Sequence, residues 1–301
     1  MIRKLVIFGV GLIGGSLALA LREAGYCQEV IGCSRNAAHL QKAVDMGVID
    51  SFTLEPQAAV QDADMVLLAV PMGAMGRLLE QIRPALPADA VLTDAGSTKG
   101  SIVAEVEQVF GKAFARFVPG HPIAGREKSG VEAAIPDLYV NRRVILTPLP
   151  HTDPAALRAV EDMWRMTGAV LESMPVELHD RVLAATSHLP HVLAFSLVDT
   201  LLNLPMREDI FRYAAGGFRD FTRIASSDPV MWRDICLANK NAIVEMIGKL
   251  QADLSEFAAL VEQQDGEGLY TRMSRAKQAR DSYIAYLENH KASAQETPDD
   301  Q

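Results

Sequence analysis

Residues 4–15 read Lys4-Leu-Val-Ile-Phe-Gly-Val-Gly-Leu-Ile-Gly-Gly15, and this stretch decides the fold. Its apolar first half is typical of a buried parallel strand, and residues 17–23 after the glycines read as a helix. A GxGxxG motif between a strand and a helix is the fingerprint of a dinucleotide site, because the helix N-terminus offers N–H groups to a pyrophosphate. The alternative is a glycine-rich turn that binds no ligand. The cofactor contacts expected from this motif are Gly9, Gly11, Leu12, Ile13 and Gly14.

Strand and helix patterns continue to alternate along the first half of the chain. The predicted strands are 29–33, 65–70, 90–93, 115–118, 143–147 and 169–172, and the predicted helices between and after them are 37–46, 75–82, 100–110 and 153–166. This rhythm indicates an α/β Rossmann-like N-terminal domain with a mostly parallel, doubly wound sheet. We place that domain at residues 1–173.

From residue 176 onward the pattern is helical only. Long helical patterns cover 179–204, 229–264 and 268–289, so we predict an all-α C-terminal domain at residues 174–290. The polar, proline-containing segment 291–301 is expected to be a disordered tail.

Composition and charge narrow the range of partners. The chain has 301 residues and a formal net charge of -9, which disfavours nucleic acid and anionic membranes. Its three cysteines, Cys27, Cys33 and Cys236, lack the spacing of a disulfide framework or a zinc site, so no metal is expected. The N-terminus lacks the features of a signal peptide, and we therefore predict a cytoplasmic protein.

Residues 182–202 form an apolar run that approaches the length needed to span a membrane. The run contains His188, Pro190, His191 and Asp199, each costly in hydrocarbon, so we interpret it as a helix buried in protein. One small helical domain could not easily cover a helix that is apolar nearly all round, and this predicts a homodimer. Pro190 is expected to kink the helix and to turn His188 and His191 toward a common side.

Three of the predicted strands end at residues that indicate a binding site. Val70-Pro71 ends one, Asp94-Ala-Gly-Ser97-Thr-Lys-Gly100 ends the next, and His121 follows a third. The carboxyl ends of parallel strands meet at one edge, so these groups should converge beside the nicotinamide. His121 lies between Pro119 and Pro122, and we expect a rigid, non-helical turn that presents either a general base or a histidine that only satisfies a loop carbonyl. Ser97 or Thr98 is expected to cap the helix that begins near Lys99.

These motifs resemble the prephenate and arogenate dehydrogenases of tyrosine biosynthesis. The resemblance runs from about Lys4 to Tyr286 and is carried by GVGLIGGS, DAGSTKG, HPIAGREKSG, ELHD, SHLPH and GGFRDFTRIASSDPVMWRDI. It implies oxidation at C4 of a cyclohexadienyl ring by NAD(P)+, with loss of the ring carboxylate as CO2. The product would be 4-hydroxyphenylpyruvate or tyrosine.

The resemblance also implies roles for individual residues. His121 matches the base that takes the 4-hydroxyl proton, Ser97 a hydroxyl that assists it, and Arg223 an arginine that grips a substrate carboxylate. His191 and Trp232 match residues that line the same pocket. Glu127 and Asp180 match acids of an ion-pair network at the pocket mouth, although ordinary surface charge is the alternative for both.

Cofactor choice is predicted from the end of the second strand. An NAD site usually places an acid there, whereas this chain reads Ser34-Arg35-Asn36. Ser34 can donate to a 2′-phosphate and Arg35 can pair with it, which favours NADP while tolerating NAD. The alternative is an ordinary polar turn.

Two other functions fit parts of the pattern. A β-hydroxyacid dehydrogenase would need a catalytic lysine on the helical domain, and nothing around Lys240 supports that role. A non-catalytic dinucleotide-binding sensor would need no base, which argues against it given His121, Ser97 and Arg223. No residue identifies prephenate or arogenate as the preferred substrate.

Overall fold

The computed structural model of the chain describes residues 1–126 and 128–295. Within these ranges the strands are β1 (Ile2–Phe8), β2 (Cys27–Cys33), β3 (Ser51–Thr53), β4 (Met65–Leu68), β5 (Val91–Asp94), β6 (Phe117–Val118), β7 (Gly120–Pro122), β8 (Arg143–Leu146) and β9 (Val170–Ser173). The helices are α1 (Leu12–Glu23), α2 (Ala37–Asp45), α3 (Pro56–Val60), α4 (Met72–Ile82), α5 (Gly100–Phe110), α6 (Pro154–Arg165), α7 (Val176–Leu183), α8 (Leu189–Leu202), α9 (Arg207–Arg212), α10 (Gly216–Thr222), α11 (Pro229–Ala238), α12 (Lys240–Glu262) and α13 (Gly266–Gln295).

The main sheet has six parallel strands in the order β3-β2-β1-β4-β5-β6. The predicted Rossmann-like fold is therefore confirmed. Strand β1 pairs with β2 on one side and with β4 on the other, so the strand order reverses there and opens a crevice at the carboxyl ends. Leu5, Val6, Ile7 and Phe8 are all buried, because helices cover both faces of the sheet.

The strands 143–147 and 169–172, predicted within the same alternation, belong to a second sheet instead. This sheet has the order β7-β8-β9, with β7 antiparallel to β8 and β8 parallel to β9. Pro119 separates β6 from β7, since it has no N–H with which to continue a ladder. His121 thus lies in a short strand opposite Ile145, and the predicted turn at this position is wrong.

Strand β3 and helix α3 were not predicted. Strand β3 has only three residues at the edge of the sheet and is not fully buried, so it carries no continuous apolar run. Helix α3 has five residues, too few for helical periodicity to show.

Helix α8 follows one turn of π-helix at Ala184–His188. Pro190 lies at the start of α8, so the interruption falls where the sequence predicted a kink. The continuous helix Val176–Leu202 is long and apolar enough to cross a membrane by length and composition, yet only 28% of its most apolar window is buried. The expectation of a helix buried inside protein is therefore not met within one chain.

The chain divides into two compact units, one at Met1–Val244 and the other from Glu245 onward. The change from mixed to purely helical structure falls after β9, beside the predicted boundary at residues 173 and 174, and that boundary remains a prediction. Helix α13 reaches Gln295, so it occupies the first part of the segment 291–301 predicted to be a disordered tail. The rest of that segment lies outside the described residues.

Candidate active site

The glycine motif builds a cleft at the carboxyl end of β1. Gly9 has φ +91, and a Cβ there would lie 2.3 Å from the carbonyl oxygen of Ala69. A Cβ on Gly14 would lie 2.4 Å from the carbonyl oxygen of Gly9, whereas the space beside Gly11 is open. Helix α1 begins after Gly11 without a side-chain cap, so its first N–H groups face a space that a pyrophosphate fits.

Most of the predicted cofactor residues line this cleft, which has a volume of roughly 690 Å³. Its lining includes Gly9, Gly11, Ser34, Arg35, Val70 and Pro71. Asn36 has another task, because its side chain caps α2 by accepting from the N–H of His39. His39 was not predicted to line the cleft, and its Nε2 donates to the carbonyl oxygen of Val10 at 2.8 Å.

Ser34 and Arg35 lie at the adenosine end without an acid beside them in the sequence. The Ser34 hydroxyl accepts a 3.3 Å hydrogen bond from the N–H of Asn36, which leaves its hydrogen free to donate outward. Arg35 is exposed. Arg77 lines the same cleft from α4, so its lining carries more positive charge than the sequence indicated.

The DAGSTKG segment is fixed by a buried ion pair. Lys99 and Asp94 are fully buried, and the Lys99 ammonium contacts the Asp94 carboxylate and donates to the carbonyl oxygen of Gly120 at 2.7 Å. Asp94 also accepts from the N–H groups of Gly96 and Gly120. This network fastens the end of β5 to the start of β7 and so positions His121.

The expected cap of α5 by Ser97 or Thr98 is wrong. Thr98 hydrogen-bonds Ser101, and Ser97 is half-buried. The cap comes from Asp180 on α7, whose two carboxylate oxygens accept from the N–H groups of Lys99 and Gly100 at 2.8 Å each. Asp180 therefore holds a helix N-terminus, and its place in an ion-pair network at the pocket mouth remains a prediction.

Asp180 also begins a chain of hydrogen bonds that ends at His121. His179 Nδ1 lies 2.8 Å from an Asp180 oxygen, and His179 Nε2 lies 2.9 Å from His121 Nδ1. The carboxylate only accepts, so His179 donates from Nδ1, and its Nε2 accepts from His121 Nδ1 when the ring is neutral. The lone pair of His121 is thereby placed on Nε2, where it can take a proton from a ligand.

Burial and neighbouring charges set the protonation states of His121 and Asp180, the two residues at the ends of this hydrogen-bond chain. Burial, together with Lys99, His179 and His188, lowers the pKa of His121 well below its usual 6.5, so the ring is neutral at physiological pH. Burial alone would raise the pKa of Asp180, but hydrogen bonds from His179, Lys99 and Gly100 outweigh it and lower that pKa. Asp180 is accordingly an anion at one end of the chain, and His121 is a neutral base at the other end.

His191 and Trp232 come together as predicted. Their rings stack with centroids 3.7 Å apart, and His188 meets the same indole edge-on at 6.1 Å. His191 Nδ1 donates to the carbonyl oxygen of Ser187, which leaves Nε2 as the ring acceptor. His188 and His191 thus face a common side, but among residues 1–126 and 128–295 no group of three His, Cys, Asp or Glu is placed to hold a metal ion.

Arg223 lies at the start of a 3₁₀ turn, Arg223–Ser226, and is exposed. The turn packs against α8, which carries His191, and the charge of Arg223 helps to lower the pKa of His191 after the larger effect of burial. Glu127 lies outside the described residues.

Sequence reasoning missed His179 and Asn239, and it assigned His188 no hydrogen-bond partner in the site. His179 lies 58 residues from His121, and Asn239 lies 51 from His188, so no local spacing could pair them. The signal in the sequence was that His179 lies in ELHD and His188 in SHLPH, two of the motifs that carry the family resemblance.

Two family models match the chain. One, described as the nucleotide-binding domain of prephenate dehydrogenase, matches residues 17–189. The other, described as the dimerization domain of prephenate dehydrogenase, matches residues 175–275. Together they span both the Rossmann-like part and most of the helices that follow it.

Individual relatives agree with these models. A cyclohexadienyl dehydrogenase of Zymomonas mobilis is 37% identical over 284 residues, which is 92% of this chain and 95% of the relative. A crystal structure of prephenate dehydrogenase from Aquifex aeolicus, in complex with hydroxyphenyl propionate and NAD+, is 39% identical with a TM-score of 0.81 and 99% of each chain covered. The Synechocystis arogenate dehydrogenase structure is 28% identical with a TM-score of 0.79, covering 93% of this chain and 99% of that one.

Proposed function

The chain belongs to the prephenate dehydrogenase family, and from this premise we propose how its site carries out the reaction. The enzyme oxidises and decarboxylates prephenate, arogenate or both in tyrosine biosynthesis, with hydride transfer to NAD(P)+. The observation that carries the mechanism is the hydrogen-bond chain Asp180–His179–His121, because it assigns the free lone pair to one atom.

His121 Nε2 takes the proton of the C4 hydroxyl. A nicotinamide bound in the cleft would supply the acceptor for the hydride of C4, and the C4 oxygen becomes a carbonyl as that hydride leaves. The bond between the ring and its carboxylate then breaks, CO2 leaves, and the electron pair that it leaves behind makes the ring aromatic and the oxygen a phenolate. His121 returns its proton to that oxygen, so the substrate loses one hydride and one CO2 in all.

Ser97 assists at the same oxygen. It lies in the segment between β5 and α5 that Lys99 and Asp94 hold rigid, and the described residues give its hydroxyl no hydrogen-bond partner. A hydroxyl held on a fixed loop can hydrogen-bond the substrate oxygen without first breaking another bond. Ser97 therefore orients the C4 hydroxyl toward His121.

Arg223, His191 and Trp232 hold the rest of the substrate. Arg223 supplies the fixed positive charge and the planar pair of donors that suit a carboxylate. The stacked rings of His191 and Trp232 form an apolar wall with a ring acceptor at its edge. Glu127, which the family pattern places near the pocket mouth, completes this assignment.

NADP is the preferred cofactor and NAD is tolerated. The proposal is supported by Ser34, Arg35 and Arg77, which line the cleft and could bind a 2′-phosphate, and by the lack of an acid after the second strand to repel it. The ratio of kcat/KM for the two cofactors in wild type and in Ser34→Asp tests this. We expect wild type to favour NADP and the variant to lose the preference, while a wild type at least about tenfold better with NAD contradicts it.

Residues 1–173 bind the nucleotide, and residues 174–290 bind substrate and form a homodimer in the cytoplasm. Support for the dimer comes from the family model for residues 175–275 and from the largely exposed apolar window of Val176–Leu202. An exposed apolar surface of this kind marks a protein interface.

Absorbance at 340 nm tests the function as a whole. The purified protein is mixed with prephenate or arogenate and with each oxidised cofactor, and the organic product is identified. We expect reduced cofactor together with 4-hydroxyphenylpyruvate from prephenate or tyrosine from arogenate. No reduction with any of the four combinations would favour a non-catalytic dinucleotide sensor.

A further inference from the structure

Two buried N–H groups of the helical part have no acceptor among the described residues. They are His188 Nε2 and Trp232 Nε1, on side chains that are only 1% and 7% exposed. The two rings meet edge to face with centroids 6.1 Å apart. A buried donor without an acceptor destabilises a fold. Two such donors on contacting rings therefore indicate a ligand that accepts hydrogen bonds from both.

The hydrogen on His188 is fixed by its neighbour Asn239. The Asn239 amide nitrogen donates to the carbonyl oxygen of Asp180 at 2.8 Å and lies 3.1 Å from His188 Nδ1. An amide NH2 group only donates, so Nδ1 accepts and the ring hydrogen is on Nε2. Burial lowers the pKa of His188 to about 4, so the ring is neutral at physiological pH. His188 is therefore a neutral donor of known direction.

The pair lies inside the proposed active site. His188 is close enough to His121 to lower its pKa, and Trp232 stacks on His191. Asn239 links His188 to Asp180, because its amide also donates to the backbone carbonyl oxygen of Asp180. Asp180 is the residue that begins the hydrogen-bond chain to His121. Both donors thus belong to the group of rings that includes His191.

We propose that His188 Nε2–H and Trp232 Nε1–H bind a carboxylate of the substrate, one oxygen to each donor. The inference rests on the proposed function, whose substrates carry one carboxylate on the ring and another on the side chain. Neutral donors suit this task, since they bind the anion without adding a counter-charge next to His121. The exposed Arg223 then serves the other carboxylate.

Three variants separate the donors from the packing of the rings. His188→Asn keeps an acceptor for Asn239 and removes the distal N–H, whereas His188→Gln retains a distal N–H. Trp232→Phe keeps an aromatic ring against His191 and removes the indole N–H. The control is Trp164→Phe, because Trp164 also has a buried indole N–H without a described partner but lies in the core of the nucleotide-binding part, against Tyr139.

The readouts are KM for the preferred substrate and the affinity of 3-(4-hydroxyphenyl)propionate for the complex with oxidised cofactor, measured by calorimetry. We expect KM to rise roughly tenfold in His188→Asn and Trp232→Phe, less in His188→Gln, and not at all in Trp164→Phe. If the donor variants also bind the propionate more weakly than wild type does, the donors bind the side-chain carboxylate. Unchanged binding assigns them to the ring carboxylate, which the propionate lacks.

An active wild type with unchanged KM and propionate affinity in both donor variants overturns the inference and leaves the proposed function standing. A wild type that oxidises neither substrate contradicts the proposed function instead. Calorimetry with the propionate then still decides whether the two donors bind a carboxylate.

Discussion

At the scale of single residues, the sequence identified His121 from its place after a strand, but it did not identify the ring nitrogen that can take a proton. The sequence shows a histidine between two prolines, and it does not show which ring nitrogen holds the hydrogen. That is decided by His179 and Asp180, which contact it only after α7 packs beside β7. Long-range pairing of this kind leaves no periodic signal in the chain.

His179→Phe tests this dependence. The ring volume is kept, but His121 Nδ1 loses its acceptor and the hydrogen is free to move to Nε2. We expect kcat to fall roughly tenfold or more, a part of the 10²–10⁴-fold that a positioned base supplies. Substrate KM and cofactor affinity should change little, and a variant with wild-type kcat would show that His179 does not position the base.

His188 should make the protein sensitive to acid. Its pKa is about 4 when folded and near 6.5 when unfolded, so the unfolded state binds more protons and stability is lost as pH falls below 6.5. Between pH 7 and pH 5 this loss amounts to about 2 kcal/mol of unfolding free energy for one such histidine. Urea denaturation at fixed protein concentration should show that His188→Asn loses less stability over this range than wild type does. Equal losses would contradict the buried neutral state.

At the scale of elements, the regular parts of the fold were predictable and the short or interrupted ones were not. Helix α5 begins and ends where its pattern predicts, because its apolar positions and Gly111 leave little ambiguity. Strand β7 was missed because three residues around Pro119 and Pro122 show no alternation. The first helix of the helical part breaks at Ala184–His188, where a π-turn precedes the proline.

The N-terminus of α5 depends on Asp180, and Asp180→Asn tests that dependence. Whichever way the new amide faces, its NH2 group meets an N–H of Lys99, Gly100 or His179. We expect the unfolding free energy to fall by about 1–3 kcal/mol and kcat to fall with it.

Asp153→Asn is the matched control, since Asp153 caps α6 through the N–H of Ala155 and its side chain pairs with Arg116, neither of which is a proposed catalytic residue. The new side chain can still accept from Ala155, but its NH2 group then meets the Arg116 guanidinium, so stability should fall while kcat stays as in wild type. A normal kcat in Asp180→Asn would separate the cap from catalysis and contradict the account.

At the scale of the whole molecule, the exposed apolar residues of the helical part predict a partner subunit. Leu202 is 46% exposed, and others on the neighbouring helices are exposed to a similar degree. Light scattering at micromolar concentration should give about 65 kDa, twice the chain mass of 32.7 kDa.

Leu202→Asp should shift this mass toward the monomer, because it places a charge in an apolar contact. Met46→Asp, at an equally exposed apolar residue of the nucleotide-binding part, should leave the mass unchanged. A wild-type monomer would refute the dimer.

The most direct test of the account is the stoichiometry of the reaction in wild type and in His121→Asn. In wild type each mole of substrate consumed should give one mole of reduced cofactor and one of CO2. His121→Asn should bind cofactor as tightly as wild type, keep the same stoichiometry, and turn over about 10²–10⁴-fold more slowly. Reduced cofactor without CO2, or a variant with the turnover of wild type across the pH range, would contradict oxidative decarboxylation with His121 as the base.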